Sequence, residues 1–273
     1  MIGICRVCVL TDLSSEYPLT KSQIEEYHRD GHIHLPSVCT TKEVNVYRHA
    51  ITETAYSRFP ERDAVDVSNR AFLQTLNLRY HSQGVSQFVL AKRFAKIAAD
   101  LMGVDAVRIY HEQALFKEPN GGITAWHQDQ YYWPLATDSA MGMWMPLVDT
   151  PIEMGPIQFA TGSHVDGFMG QYAISDSSQE FFQRFIDEKR YSCWQASMRA
   201  GDATFHNGWT MHGATANQTN TMREAMIVTY YPDGTRVGEL SNRSRFHDAQ
   251  NFLGGRKEGD LADSEMNPVL YRS

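Results

Sequence analysis

The residues best suited to chemistry are two histidines, an aspartate and an arginine in the second half of the chain. His127 and Asp129 stand two apart in "AWHQDQYYWPL". Side chains two apart on a β-strand point to the same face, so we expect this pair to project together while Gln128 points away. For this spacing taken alone, a surface pair or a hydrogen-bonded core histidine is the alternative interpretation.

A third imidazole and a cation follow in "GDATFHNGWTMHGATANQTNTMREAMIVTYY". His212 precedes a polar turn, and Arg223 opens an apolar strand whose packing does not require a charge. A buried arginine needs an anionic partner, and a carboxylate matches its planar guanidinium with paired hydrogen bonds. That partner is either a carboxylate of the protein or one carried by a bound small molecule.

Two histidines and one carboxylate hold a metal from one side and leave the other side open. This arrangement suits non-haem iron(II) and oxygen chemistry. Zinc hydrolysis uses similar ligands, but it does not need an arginine placed to hold a second carboxylate away from the metal. The residues therefore favour an oxygenase, with a zinc hydrolase and a non-catalytic, metal- or ligand-binding β-sandwich as the alternatives.

The elements that must position these residues change character near residue 104. Thr20, with Gln23 at the capping-box position, begins a helix that ends at Gly31 and leads into a strand. A second helix is predicted over 86–103 and a third in the segment 178–190. Runs rich in β-branched and aromatic residues, separated by turn residues, indicate strands. We predict them near 105–117, 123–130, 140–148, 156–159, 191–198, 202–206, 210–215 and 222–231.

Helices followed by about eight strands predict a mainly β fold with flanking helices, a double-stranded β-helix or jelly roll of the cupin-like kind. No linker composition divides the 273 residues. We therefore predict a single domain over 1–273. Its helical part spans about 20–103, its jelly-roll core about 104–232, and a C-terminal tail 233–273.

The composition of the chain limits the binding partners and the cellular compartment that we expect. The net charge is −7 and no basic stripe is present, which argues against nucleic acid. No apolar run approaches the roughly 20 residues of a membrane span. Cys5, Cys8, Cys39 and Cys193 are too few for a disulfide scaffold, and the Cys5–Cys8 pair lacks a second pair to complete a zinc site. We predict a cytoplasmic monomer or homodimer that acts on a small molecule.

Several separated motifs occur in a fixed order. They are "WHQDQYYW", "GPIQFATGSH", "GDATFH..WTMHGA" and Arg223 eleven residues after His212, preceded by "LTKSQIEEYHRDGHIHLP". From about residue 19 to 232 the chain thus resembles the phytanoyl-CoA dioxygenase (PhyH) family of Fe(II)- and 2-oxoglutarate-dependent oxygenases. The resemblance implies that His127, Asp129 and His212 ligate Fe(II), and that Arg223 anchors the distal carboxylate of 2-oxoglutarate. His206 is the rival third ligand; the family places its ligand in the following H-G motif, which favours His212.

The resemblance also points to residues around the cosubstrate. Gln113, Trp144 and Lys117 stand where family members often line its pocket. Each has an ordinary alternative: Gln113 satisfying backbone groups, Trp144 packing in the core and Lys117 lying in solvent.

Hydroxyl and aromatic side chains complete the set of candidates. Thr215 or Thr221 is a candidate for a hydroxyl contact to the cosubstrate carboxylate, because Ala214 stands where many family members have serine. Tyr131 and Trp133 share parity with the metal ligands if the strand continues. They are then candidates for a pocket wall that excludes water, with core packing as the alternative.

The implied reaction is hydroxylation of a small metabolite, with consumption of 2-oxoglutarate and O2 and hydrogen abstraction by an iron(IV)-oxo species. Asp129 argues against halogenation, because halogenases of this general class carry a small residue in place of the carboxylate. Epimerisation, desaturation and ring closure in secondary metabolism would use the same ligands and remain alternatives. The lack of a basic cluster argues against a CoA-linked substrate.

Overall fold

The computed structural model describes residues 12–59 and 71–273. In this part of the chain, eleven strands form two sheets. The larger sheet contains β1 (His32–Leu35), β2 (Leu73–Leu76), β3 (Ala106–Lys117), β5 (Met141–Pro146), β8 (Ala203–Asn207), β10 (Arg223–Pro232) and β11 (Val269–Arg272). The smaller sheet contains β4 (Thr124–His127), β6 (Ile157–Ala160), β7 (Cys193–Trp194) and β9 (His212–Ala214).

The strand order is that of two antiparallel sheets. The strand order is β1-β8-β5-β10-β3-β11 in the larger sheet and β4-β9-β6-β7 in the smaller sheet. β2 and β11 both pair with β3, β11 near its start and β2 near its end. Residues of both sheets line one cavity between them. The predicted double-stranded β-helix is confirmed.

Six helices flank the sheets of the described chain: α1 (Lys21–Asp30), α2 (Thr41–Tyr56), α3 (Gln83–Val89), α4 (Lys92–Met102), α5 (Asp176–Lys189) and α6 (Arg243–Phe252). The predicted start of α1 is confirmed: Thr20 and Gln23 form a capping box, and Gly31 ends the helix in the left-handed region. The single helix predicted over 86–103 is wrong, because the chain becomes extended at Ala91, which caps α4. We did not predict α2.

Successive side chains on the strands of the large sheet point to opposite faces and form two apolar layers. Met143 on β5 and Val228 on β10 face outward into the core shared with α2, α3 and α4. Trp144 and Ile227, one residue away on each strand, face inward toward the small sheet. The period of two residues therefore places one side of the large sheet under the helices and the other around the cavity.

A bulge interrupts this alternation in β3. β10 advances two residues from Val228 to Tyr230 while β3 covers three, from Glu112 back to Ile109. Ile109 faces the outer core, whereas His111, two residues later, lines the cavity. A regular strand would put both on one face, so the extra residue directs His111 inward.

The strand predicted over 123–130 is shorter than expected. β4 ends at His127, and Asp129–Tyr131 form a short 3-10 helix. The Gln128 side chain donates from Nε2 to the backbone oxygens of Gly167 and Trp209, at 2.8 and 2.7 Å. Gln128 points away from the cavity as predicted, but these contacts turn the chain before Asp129, so the strand pleat does not align Asp129 with His127.

The residues after 232 are not an unstructured tail. They include α6 and β11, and Phe252 and Leu253 pack in a cluster with Tyr110 and Trp133. Cys39 is buried and Cys193 exposed, both as free thiols, whereas Cys5 and Cys8 lie outside the described residues. None of the helices in the described ranges is long and apolar enough to span a bilayer.

Candidate active site

A cavity of about 280 Å³ lies between the two sheets. His127, Asp129 and His212 line its small-sheet side, while Trp144 and Arg223 line it from the large sheet. Thus five residues that span nearly one hundred positions in sequence line one cavity.

The two histidines and the aspartate form a compact cluster. His127 and His212 are direct partners across the β4–β9 ladder, with ring centroids 4.1 Å apart. One potential ligand atom from each histidine and from Asp129 all lie within 4.8 Å of one another. This geometry matches a facial set of two imidazoles and one carboxylate.

Backbone contacts orient both imidazoles. Nδ1 of His127 lies 2.8 Å from the carbonyl oxygen of Ala125, and Nδ1 of His212 lies 2.9 Å from that of Thr210. A carbonyl only accepts, so each Nδ1 carries the proton and donates, and each Nε2 keeps a free lone pair. Burial lowers the pKa of both histidines to about 4, which keeps them neutral, as metal ligation requires.

Asp129 is surrounded by histidines. His212 Nε2 lies 3.6 Å from Oδ2, His127 Nε2 lies 3.7 Å from Oδ1, and His206 Nε2 is 3.3 Å from Oδ2. Burial by itself raises the pKa of Asp129, but the three histidines lower it more, so its pKa lies below the ordinary value. The carboxylate is therefore ionised. His206 does not join the cluster of possible ligands.

Arg223 is a buried cation that no carboxylate of residues 12–59 or 71–273 neutralises. Only 2 % of it is exposed, and within the described ranges its recorded side-chain hydrogen bond runs from one guanidinium nitrogen to the Gly155 oxygen, at 2.6 Å. Its Nε has no partner. Burial lowers the pKa of Arg223 to about 10, a sign of an uncompensated charge. The guanidinium lies 5.6 Å from the Trp144 ring centroid.

The other predicted cosubstrate residues divide into two groups. Gln113 and Trp144 line the cavity, and Gln113 accepts a hydrogen bond from Gln74. Lys117 is buried, not solvated; its Nζ donates to the oxygens of Gly122 and Thr215 at 2.7 and 2.8 Å. Burial, and then Arg223, lower the pKa of Lys117 to about 6.

The threonine candidates do not reach the cavity. The Thr215 hydroxyl accepts from Gln195 Nε2 at 3.2 Å, and Thr221 is exposed beside Thr219. The hydroxyl-bearing residue that lines the cavity near the metal cluster is Thr124, directly opposite Ala214 in the β4–β9 ladder. Regular alternation would put Thr124 and His127 on opposite faces, so only the register shift between them, which the sequence does not encode, brings both to the cavity.

The aromatic candidates are placed unequally. Trp133 lines the cavity, and its ring centroid lies 6.2 Å from that of Tyr110. It is therefore both part of the pocket wall and part of an apolar cluster. Tyr131 does not line the cavity, because the chain leaves the strand before it; Tyr132 does instead. Sequence reasoning also missed His111, Asp248 and Phe252, which line the same cavity.

The sequence of this chain is similar to a family model and to proteins of known activity. The family model for phytanoyl-CoA dioxygenase (PhyH) matches residues 27–225. The methylphosphonate hydroxylase of Gimesia maris is 25% identical over 222 residues, covering 78% of this chain and 80% of that protein. The ectoine dioxygenase of Streptomyces avermitilis is 22% identical over 262 residues, covering 86% and 88%.

Solved structures share the fold over nearly the whole chain. The epimerase SnoN from nogalamycin biosynthesis, in complex with Fe3+ and alpha ketoglutarate, superposes with a TM-score of 0.77 at 24% identity and covers 92% of this chain and 98% of its own. The carbocyclase SnoK from the same biosynthesis gives 0.76 at 24% identity, covering 92% and 96%.

The protein belongs to the phytanoyl-CoA dioxygenase (PhyH) family. It is a non-haem dioxygenase that uses Fe(II), 2-oxoglutarate and O2. The His-Asp-His cluster is the candidate iron site, and the relatives above act on small molecules according to their names.

Proposed function

We propose that the cavity hydroxylates a small-molecule metabolite, with His127, Asp129 and His212 as the iron ligands and Arg223 as the cosubstrate anchor. The observation that carries the cosubstrate assignment is the buried Arg223 guanidinium, which faces the cavity with no protein carboxylate in the described chain to neutralise it. A dicarboxylate bound to the neighbouring metal would supply that missing anion.

The donor set fits iron(II). Two neutral imidazoles with free Nε2 lone pairs and one ionised carboxylate form a one-sided ligand set. When bound, iron and 2-oxoglutarate supply the oxidising power through O2. The chain contributes the rest: Arg223 and Trp144 orient the cosubstrate, and the apolar lining, including Leu115, keeps bulk water from the reacting groups.

Cosubstrate binding tests this assignment directly. We expect anaerobic titration of the iron(II) protein with 2-oxoglutarate to develop the weak visible charge-transfer band of the chelate, and Arg223→Ala to require at least about tenfold more cosubstrate. Arg184→Ala, at an exposed position of α5, is the matched control. Iron-loaded wild type that gives no band contradicts the assignment.

Epimerisation, desaturation or ring closure by the same site is the second candidate. SnoN is an epimerase and SnoK a carbocyclase, and both share the fold. All of these reactions convert 2-oxoglutarate to succinate, so product mass separates them: hydroxylation adds one oxygen atom, desaturation or ring closure removes two hydrogens, and epimerisation, which also needs two electrons from an added reductant, leaves the mass unchanged. A non-catalytic binding protein would form no succinate.

We further propose one oxygenase domain, acting in the cytoplasm as a monomer or homodimer without nucleic-acid or membrane partners. The net charge of −7 supports the lack of a nucleic-acid partner. Light scattering on the purified protein checks its oligomeric state.

A further inference from the structure

The cavity has a second polar end that the iron and cosubstrate roles do not use. We propose that Asp248 and His111 recognise the primary substrate there, and that this substrate is a small molecule carrying a protonated amine. The proposal rests on the proposed function, because it takes the Arg223 end for 2-oxoglutarate.

The bulge in β3 builds this end of the cavity. It places Tyr110 in the cluster with Trp133 and Phe252, and turns the adjacent His111 into the cavity. The Tyr110 hydroxyl donates to Asp248 Oδ2 at 2.9 Å, which fixes the carboxylate of α6 against the strand. Bulges beside active sites commonly redirect side chains in this way.

Asp248 is a buried carboxylate with no strong cationic partner. Within the described residues, its recorded ion-pair contact is with the solvent-exposed His247, whose Nδ1 lies 3.5 Å from Oδ1. No lysine or arginine of that part pairs with it. Burial raises the pKa of Asp248 to about 6, although Tyr110 and His247 act to lower it. A buried charge is retained at such a cost when a ligand neutralises it.

His111 supplies a second polar contact. It is 3 % exposed, and its Nδ1 has no hydrogen-bond partner in the described structure. Burial lowers the pKa of His111 to about 3, so the ring is neutral and does not compensate Asp248. A neutral imidazole that lines a cavity offers a donor and an acceptor to a bound molecule.

The remaining lining selects for a cation. Among the described residues that line the cavity, Arg223 is the one arginine or lysine. In the proposed function, the distal carboxylate of 2-oxoglutarate neutralises its charge. A phosphonate or carboxylate substrate would find no other cation there. The rings of Tyr132, Trp133 and Phe252 surround the Asp248 end, and aromatic faces attract ammonium groups.

This end of the cavity lies partly outside the region shared with the family. The family model ends at residue 225, whereas Asp248 and Phe252 belong to α6. The proposed carboxylate contact therefore lies on a helix separate in sequence from the three candidate iron ligands.

Three ring compounds of one size test the charge preference: cyclohexylamine, cyclohexanol and cyclohexanecarboxylate. Binding is followed by tryptophan fluorescence, to which Trp133 and Trp144 of the cavity lining contribute, with and without iron(II) and 2-oxoglutarate in the absence of oxygen. We expect cyclohexylamine to bind at least about tenfold more tightly than cyclohexanol, and the carboxylate most weakly. We expect Asp248→Asn, which keeps the acceptor for Tyr110, to reduce the amine preference to about threefold or less.

Asp263→Asn is the matched control, because Asp263 lies in the same segment and pairs with the exposed Arg256 at 3.0 Å; its amine preference should equal that of wild type. Equal binding of amine and alcohol by wild type, tighter binding of the carboxylate, or a preference that survives Asp248→Asn overturns the proposal. The visible cosubstrate band is read in the same samples. Loss of that band in wild type contradicts the proposed function instead, while the amine preference is still measured by fluorescence.

Discussion

Nε2 of His206 lies 3.3 Å from Oδ2 of Asp129, closer to that carboxylate than either histidine that shares its metal cluster. His206 does not line the cavity, so it contacts Asp129 from behind. Because the ionised carboxylate can only accept, His206 Nε2–H donates to Oδ2 and holds Asp129 in the position from which it would ligate a metal. Such outer contacts orient ligands and tune their affinity.

The first prediction separates this positioning role from ligation. We expect His206→Ala to weaken iron(II) affinity by about 10- to 100-fold, the range for outer-contact losses, with residual binding. His212→Ala, which removes a member of the cluster, should abolish stoichiometric iron. Anaerobic metal titration measures both, with His49→Ala, at an exposed position of α2, as control. Full iron retention by His212→Ala, with loss in His206→Ala, would exchange their roles.

Gly142 should not tolerate a side chain, because the His206 imidazole packs against it. A Cβ at Gly142 would lie 2.8 Å from two atoms of the His206 imidazole, so the ring must move. We expect Gly142→Ala to destabilise the protein by about 1–3 kcal/mol, as overpacking does, measured by urea denaturation. Adding His206→Ala should recover part of that loss. Strictly additive effects would contradict the steric explanation.

The two threonines of the β4–β9 region should differ in cosubstrate binding. Thr124 lines the cavity and Thr215 does not. We expect Thr124→Val to raise the 2-oxoglutarate concentration for half-maximal band formation about fivefold, the cost of roughly one hydrogen bond. Thr215→Val is the matched control and should behave as wild type. The opposite ranking would restore the original prediction for Thr215.

Lys117 should make stability depend on pH. Its folded-state pKa of about 6 lies below the ordinary 10.5, so between these values the unfolded chain binds a proton that the folded protein does not. The contribution of Lys117 to the free energy of unfolding therefore rises with pH across that window and is lost as the pH falls toward 6.

We expect Lys117→Met to flatten the stability profile between about pH 6 and 9 relative to wild type. Toward the alkaline end, where the cost of deprotonating Lys117 disappears, it should also lower stability by about 1–3 kcal/mol, because the oxygens of Gly122 and Thr215 lose their donor. Denaturation without cosubstrate at several pH values measures both effects. Lys92→Met, at an exposed position of α4, is the control, and parallel profiles for wild type and Lys117→Met would refute the linkage.

The sequence was informative where residue type carried the signal. The H-x-D spacing together with the motif resemblance pointed to His127, Asp129 and His212, and the charge of Arg223 at the start of an apolar strand pointed to the guanidinium that needs an anion. The path of the chain through Asp129 was not predictable, because the turn is held by Gln128 bonds to distant backbone. His111 was missed for a similar reason: its direction depends on how β3 pairs with β10, which local alternation does not encode.

α6 lines one end of the cavity from beyond the residues that the family model matches, while His127, Asp129 and His212 lie within them. If Asp248 recognises the substrate as proposed, part of the selectivity comes from a stretch of the chain separate from the iron ligands. Exchange of the stretch around 243–252 offers a route to new substrates in which the oxidising machinery is left untouched, and laboratory evolution of this scaffold has a short, contiguous target.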